Sequence, residues 1–328
     1  MPKDLPDGFK IKTLTLAYLD EIYKLISNHY IEDDQHLVRL IYSKKFLYWY
    51  LKDIPPGFII GLLYKNILVG MITALFINMA VHEKNLKLPY INFFCIQSKI
   101  RNLGLGKFLI DELKYRLDKI EITCALFTGT KLLQNKPFCV SKDFIIPINY
   151  PVLKEVGFLA DDLLPLPAVE YNCLHLMTVS DIASVVPKLN KFLEKFKIKL
   201  HFNTDNARHF LLPKKNIIYT FVNRDTKGIV TDLITVYKNY YYCIEKQKII
   251  TVGHLAYYYY ETMSFTQLII FLLDKLRAYH FDQLVFRNIS DNSNINITRF
   301  STYSQLYYYL FNIPLEEIEP SEISVLPL

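Results

Sequence analysis

Glycine is scarce in this chain, ten positions in 328 residues, and tryptophan occurs once. So few glycines exclude a collagen-like or glycine-rich low-complexity architecture. The cysteines (Cys95, Cys124, Cys139, Cys173 and Cys243) are odd in number and show no CxxC pair or other metal spacing. That excludes a disulfide scaffold, implies no metal, and predicts reduced thiols in a cytoplasmic protein. Charge of one sign is also missing: 38 Lys and Arg stand against 32 Asp and Glu, a net +6 spread along the chain, so no nucleic-acid stripe is expected. No apolar run reaches the ~20 residues of a spanning helix, because the most apolar stretch, Phe58 to Val81, is broken by Lys65-Asn66. The opening residues, MPKDLPDG, do not read as a signal peptide.

What is present is a large apolar and aromatic complement: 51% hydrophobic residues, with 25 Tyr and 22 Phe, enough to bury one large core or two ordinary ones. The chain is organised around residues 88–120. Tyr90 to Ile96 is a short apolar run that predicts a buried central strand with no exposed face. Leu105, Phe108, Leu109, Leu113, Leu117 and Ile120 then fall at helical spacing. Between them lies Arg101-Asn-Leu-Gly-Leu-Gly-Lys107. A Walker loop fails because Arg101 stands where Gly is needed and Phe108 where Ser or Thr is needed; a dinucleotide fingerprint fails because position 109 is Leu. The remaining pattern, R-x-x-G-x-G, resembles the pyrophosphate loop of acyl-CoA N-acyltransferases of the GNAT superfamily. Glycine there lets an anion approach the free amides of a helix N-terminus. The competing reading is a tight strand–helix turn whose glycines serve packing.

In order along the chain, Leu14 to Tyr30 predicts a first helix and Ser43 to Leu51 a second. Glu32, Asp33 and Asp34 lie between them, an acidic run that is by itself a solvated face. A hairpin over 58–81, the organising strand and helix, and a strand over Ile122 to Thr128 follow. Asn135 to Pro151, with three prolines, reads as a long loop over the sheet. A weak echo comes later: a helix over Ser180 to Phe196, a hairpin through Asp225 to Gly228, a strand over Gly253 to Tyr260, a helix over Phe265 to Tyr279 and a strand over Gln283 to Arg287. The second unit lacks the Gly-x-Gly, so only the first is expected to hold a cofactor in this way.

Several runs in this order resemble the glycylpeptide N-myristoyltransferase family over nearly the whole chain. They are Tyr30-Ile-Glu-Asp-Asp34, Phe46-Leu-Tyr-Trp-Tyr-Leu51 followed by Pro55-Pro-Gly57, Tyr90 to Ile96, Phe127-Thr-Gly-Thr130 and Ile148-Asn149. In the second half Asn216 to Val222, Val230-Thr-Asp232 and Tyr308 to Asn312 join them. The resemblance implies an α/β (α+β) fold, two pseudo-symmetric GNAT-like halves forming one continuous mixed sheet flanked by helices. Residues 1–165 would be the half with the acyl-CoA site, and 166–328 the half that supplies the peptide groove and the terminal carboxylate.

The implied reaction moves myristate from myristoyl-CoA, a co-substrate rather than a resident cofactor, to the N-terminal glycine of proteins. By the same resemblance the amides of Phe93 and Phe94 hold the thioester oxyanion and the carboxylate of Leu328 is the base. Arg101, Asn102, Leu103, Gly104, Leu105, Gly106 and Lys107 hold the CoA phosphates. Glu32, Asp33 and Asp34 face a basic residue of the substrate peptide, and Tyr42 belongs to its groove. Thr128 and Asn149 hold the glycine and Asn92 supports the active-site backbone; ordinary strand-end and loop hydrogen bonding accounts for Thr128 and Asn149 equally well. The expected state is a cytoplasmic monomer without nucleic acid. Two alternatives stay open: a GNAT-fold N-acyltransferase of other acyl length or acceptor, and an inactive adaptor that binds acyl groups or Gly-initiated peptides.

Overall fold

The computed structural model describes residues 5–30, 38–160, 169–297 and 299–326, without the side chains of Ser301 and Tyr303. The first half contains strands β1 (Phe9–Thr13), β2 (Val38–Ile41), β3 (Ile59–Tyr64), β4 (Ile67–Val81), β5 (Lys84–Ile96), β6 (Ala125–Gly129) and β7 (Cys139–Pro147). Its helices are α1 (Leu19–His29), α2 (Lys44–Leu51), α3 (Gly106–Asp118) and α4 (Tyr150–Glu155). Then come β8 (His175–Leu176), α5 (Ile182–Leu193), β9 (Ile198–Leu200), α6 (Thr204–Phe210), β10 (Ile218–Arg224), β11 (Val230–Cys243) and β12 (Lys248–Tyr260). The chain continues through α7 (Phe265–Ala278), β13 (Gln283–Arg287), β14 (Phe300–Phe311) and β15 (Ile323–Ser324).

All these strands join one mixed sheet, in the order β1-β3-β4-β5-β6-β14-β7-β13-β12-β11-β10-β8, with β2 on β11, β9 on β4 and β15 on β9. Two units of the same construction sit in it. In each, an antiparallel hairpin (β3–β4, β10–β11) leads to a third strand (β5, β12). A helix (α3, α7) then crosses to a parallel strand (β6, β13). The turns follow from sequence: Lys65 and Asn66 both adopt positive φ (46° and 69°), as a two-residue hairpin loop demands. Strands and helices are thus layered as the sequence leads one to expect.

The structure corrects several boundaries. Residues 135–151 are no loop: Cys139–Pro147 is an interior strand, paired to β14 on one side and β13 on the other. Its prolines do not interrupt the ladder because Pro147 closes the strand and Pro151 stands in the first turn of α4, where no N–H is needed. The first helix opens with a 3-10 turn, Leu16–Tyr18, capped by the Thr15 hydroxyl, before α1 begins. A 3-10 helix over Ser98–Leu103 separates β5 from α3, so the strand does not pass directly into the glycine loop. Helix α3 buries Leu109, Leu113 and Leu117, but it stops at Asp118 and leaves Ile120 exposed. The central strand is longer than Tyr90 to Ile96 and does have an outward residue, Phe94, 43% exposed.

Candidate active site

Strand β5 carries a bulge in its middle: against β4, Thr73 faces Asn92 and Met71 faces Cys95, so one extra residue bows out of the ladder. Phe93, in the bow, has φ +48°, a left-handed conformation that a bulky side chain adopts only when its surroundings impose it. Asn92 imposes it. Its Oδ1 accepts the Phe93 N–H (2.8 Å) and the Tyr30 hydroxyl (3.0 Å), and its Nδ2 donates to the Tyr50 hydroxyl (3.3 Å). Its carbonyl accepts from the Thr73 hydroxyl at 2.8 Å. The Phe93 ring is fully buried and is held by the rings of Tyr30, Tyr42 and Tyr50, with centroids 5.1–5.4 Å away. Tyr42 therefore packs directly over the bulge. Burial pushes the Tyr30, Tyr42 and Tyr50 hydroxyls above the ordinary phenol range, so all three are neutral donors and acceptors.

Thr128 lies beside this feature. It sits on β6, whose register places Leu126 against Tyr90, and the Thr128 side chain lies near enough to the Tyr90 hydroxyl to oppose the effect of its burial. Burial pushes Tyr90 up to about 12, against the opposing pull of Thr128 and of the Arg287 guanidinium. Asn149 is elsewhere. Thr128 faces Tyr308, which faces Cys139 across β14; Asn149 is ten residues further along that chain segment, on the order of 30 Å at strand rise. There its Nδ2 donates to Asp282 Oδ1 at 2.8 Å and its N–H to the Asp282 carbonyl. The expectation that Thr128 and Asn149 grip one glycine is corrected on this point. A strand, not a folded-over loop, runs between them.

The glycine loop is exposed from Arg101 to Gly104, buries Leu105, and leads into the 13-residue α3. Gly104 has φ +69° and an added Cβ there meets nothing, so it serves the backbone conformation. Gly106 serves space: a Cβ would stand 2.8 Å from Phe94 Cζ, which couples this loop to the bulge. Lys107 and Phe108 close their N–H groups on the carbonyls of Gly104 and Leu105 (3.2 Å each). Among the described residues the amides of Gly104 and Leu105 close no such bond. Arg101 is turned back: its Nε donates to the Ile96 carbonyl (3.1 Å) and its guanidinium to the His29 carbonyl, tying the end of α1 to the loop. Lys107 pairs with Asp111 one turn on.

Glu32, Asp33, Asp34 and Leu328 lie outside the described residues. The tail is described as far as Leu326. Ile323 is fully buried, Val325 and Leu326 nearly so, and the Ile323 carbonyl accepts from Ser290 at 2.9 Å. Sequence reasoning missed Tyr50 as a partner of Asn92, and it missed the cross-strand pair Asp143–Arg287 (Nε to Oδ1 3.1 Å). A signal existed for the pair, since Arg287 is the lone charge in the apolar run of β13.

Comparison with known proteins gives matches over both halves. The model of the N-terminal domain of myristoyl-CoA:protein N-myristoyltransferase matches residues 1–141, and that of the C-terminal domain matches residues 164–324. A putative glycylpeptide N-tetradecanoyltransferase of Acanthamoeba polyphaga mimivirus is 52% identical over 325 residues, 98% of this chain and 91% of that one. A glycylpeptide N-tetradecanoyltransferase of Plasmodium falciparum is 28% identical, over 94% of this chain and 79% of its own. In fold the chain is similar to Saccharomyces cerevisiae N-myristoyltransferase crystallised with bound myristoyl-CoA. The TM-score is 0.90 at 22% identity, covering 100% of this chain and 91% of that one.

Proposed function

We infer, for a chain that belongs to the myristoyl-CoA:protein N-myristoyltransferase family, that it transfers myristate from myristoyl-CoA to the N-terminal glycine of proteins. The observation that carries this reading is the match of both family domains, in order, at 52% identity to one relative over nearly the full length. The reaction is direct: the glycine α-nitrogen, once deprotonated, attacks the thioester carbonyl. The C–S bond then breaks and CoA leaves as the thiol.

The negative charge that builds on the thioester oxygen needs fixed donors. We assign them to the Phe93 and Phe94 amides. The held left-handed turn at Phe93 supports this, and the Phe93 N–H would be shared between Asn92 Oδ1 and the oxyanion. We assign the CoA phosphates to residues 101–107. The unpaired amide of exposed Gly104 and the positive end of α3 support that choice; Asn102, Leu103, Leu105, Gly106 and Lys107 would complete the loop, and Arg101 would brace it from behind. Thr128 would hold the acceptor glycine, and Tyr42 would wall the groove. The Leu328 carboxylate would take the proton, and Glu32, Asp33 and Asp34 would meet a basic acceptor residue. The buried approach of the tail through Leu326 supports the base assignment. Asn149 would act at most from a distance. We propose further that the halves divide near residue 165 and that the protein works as a cytoplasmic monomer without nucleic acid.

Turnover of lauroyl-, myristoyl- and palmitoyl-CoA tests the reading. A long-chain pocket loses about 0.8 kcal/mol per CH₂ removed, roughly 15-fold in kcat/KM between myristoyl and lauroyl. A flat profile would instead favour a small-acyl enzyme.

A further inference from the structure

Strand β4 is apolar almost throughout, and Thr73 carries its one hydroxyl, fully buried. Valine has nearly the same shape and would bury there with no polar group to satisfy. The Thr73 hydroxyl is satisfied in one way: it donates to the Asn92 carbonyl at 2.8 Å. That carbonyl is one edge of the peptide plane whose other edge is the Phe93 N–H, which Asn92 Oδ1 accepts at 2.8 Å. The plane is thus pinned at both edges, by a side chain from β4 and by one from β5.

The pins oppose a specific motion. Phe93 sits at φ +48°, and a half-turn of the Asn92–Phe93 plane would carry it to about −130°, ordinary strand backbone. Such a turn rotates the plane between two fixed Cα positions and leaves the flanking side chains nearly in place. The rings of Tyr30, Tyr42 and Tyr50 that hold the Phe93 ring therefore do not prevent it. It would exchange the two edges, so that the Asn92 carbonyl pointed where the Phe93 N–H had pointed. An acceptor would then face the developing oxyanion in place of a donor.

The two pins differ during the reaction. To stabilise the oxyanion the Phe93 N–H must turn from Asn92 Oδ1 towards the thioester oxygen, so the Asn92 pin weakens as charge develops. Oδ1 keeps a second donor, the Tyr30 hydroxyl at 3.0 Å, so this release strands nothing. The Thr73 bond lies at the opposite edge of the plane and persists throughout. It also polarises the amide, which makes the N–H across the same plane a better donor.

We propose that Thr73 is a positioning residue for the transfer step, holding the Asn92–Phe93 peptide plane with its N–H towards the thioester oxygen. The proposal rests on the transferase reading above and on the assignment of the Phe93 amide to the oxyanion.

The test compares Thr73→Val, which keeps the shape and removes the donor, with Thr73→Ser, which keeps the donor and removes a methyl group. Each full-length variant is given myristoyl-CoA and a Gly-initiated peptide in single turnover, with protein in excess, so that product release does not mask the chemical step. Removing an oxyanion donor outright costs about 10²–10³ in rate, and loosening one should cost about tenfold. Thr73→Val should therefore lose about tenfold in the single-turnover rate, with affinity for both substrates within about twofold. Thr73→Ser should recover most of that rate even though it melts below the unaltered protein. The infrared stretch of an isotope-labelled thioester carbonyl gives an independent readout. Bound to the unaltered protein it should lie below its value in solution, and in Thr73→Val it should move back. If Thr73→Val does not fold, Thr73→Cys, with its weak thiol donor, takes its place and should be several-fold slower than Thr73→Ser. An unchanged rate or carbonyl stretch without the hydroxyl, equal rate losses with and without it, or a loss confined to binding overturns the proposal and leaves the transferase reading intact. No transfer by the unaltered protein overturns that reading and the proposal with it.

Discussion

Asn92→Ala should do two separable kinds of damage. Asn92 Oδ1 is the acceptor for the Phe93 N–H and for the Tyr30 hydroxyl, at a side chain only 7% exposed. Truncation leaves both donors stranded, at about 1–3 kcal/mol each. The Tyr50 hydroxyl loses only a weak 3.3 Å partner. The expected loss is thus about 3 kcal/mol in urea unfolding at pH 7. Chemistry should suffer more than binding. Without Asn92 the hydrogen bond that aims the Phe93 amide is gone, although the packed ring stays in place, so transfer should fall by about 10²-fold while acyl-CoA affinity stays within a few-fold. Asn92→Asp sharpens the test. A carboxylate can still accept both donors, and the Tyr50 hydroxyl can turn to donate. This variant should regain part of the lost stability despite the buried charge. If Asn92→Ala unfolds within 1 kcal/mol of the unaltered protein, or the two variants behave alike, the account of the bulge is wrong.

Three further outcomes follow from the same geometry. Gly106→Ala pushes a Cβ to 2.8 Å from Phe94 Cζ, so it should slow transfer at little cost in stability, because the ring is 43% exposed and can swing; kinetics beside a melting curve checks both. Gly104→Ala meets no atom but must hold φ +69°, so it should lose roughly 1–2 kcal/mol of stability by strain alone, read in urea. His254 is pushed down to about 3 by burial and by the nearby Arg287 guanidinium. Below its ordinary value of 6.5 the unfolded chain takes up a proton that the folded chain refuses, so this group's contribution is lost on acidification between about 6.5 and 3. The loss is about 2 kcal/mol by pH 5. Asp143, raised by burial, works in the opposite sense, so the check is the difference in pH slope between the unaltered protein and His254→Gln.

Much of the architecture was legible because local signals and global fold agree. The Lys65-Asn66 turn, the Asp225 to Gly228 turn, and the apolar period of α7 each specify their element without help from afar. Strand β7 was illegible for a physical reason: its neighbours β14 and β13 are contributed by residues more than a hundred positions later, and the prolines at its borders look like loop punctuation. The site divides the same way. Phe93 and Phe94, Asn92 and the two glycines belong to one continuous stretch, and their coupling through the Phe94–Gly106 contact is local. Tyr30 and Tyr50 in a chain of 25 tyrosines carry no mark of their partner, and only folding reveals that their hydroxyls meet Asn92. Asn149 shows the opposite error, a residue that fits a motif yet folds onto Asp282.

The central claim is tested most directly by mass spectrometry of a Gly-initiated peptide incubated with the purified protein and myristoyl-CoA. The account predicts one myristoyl group on the α-amine, one CoA thiol released for each, and no product from the same peptide beginning with Ala. Unmodified Gly peptide, recovered while the protein demonstrably binds myristoyl-CoA, would contradict it.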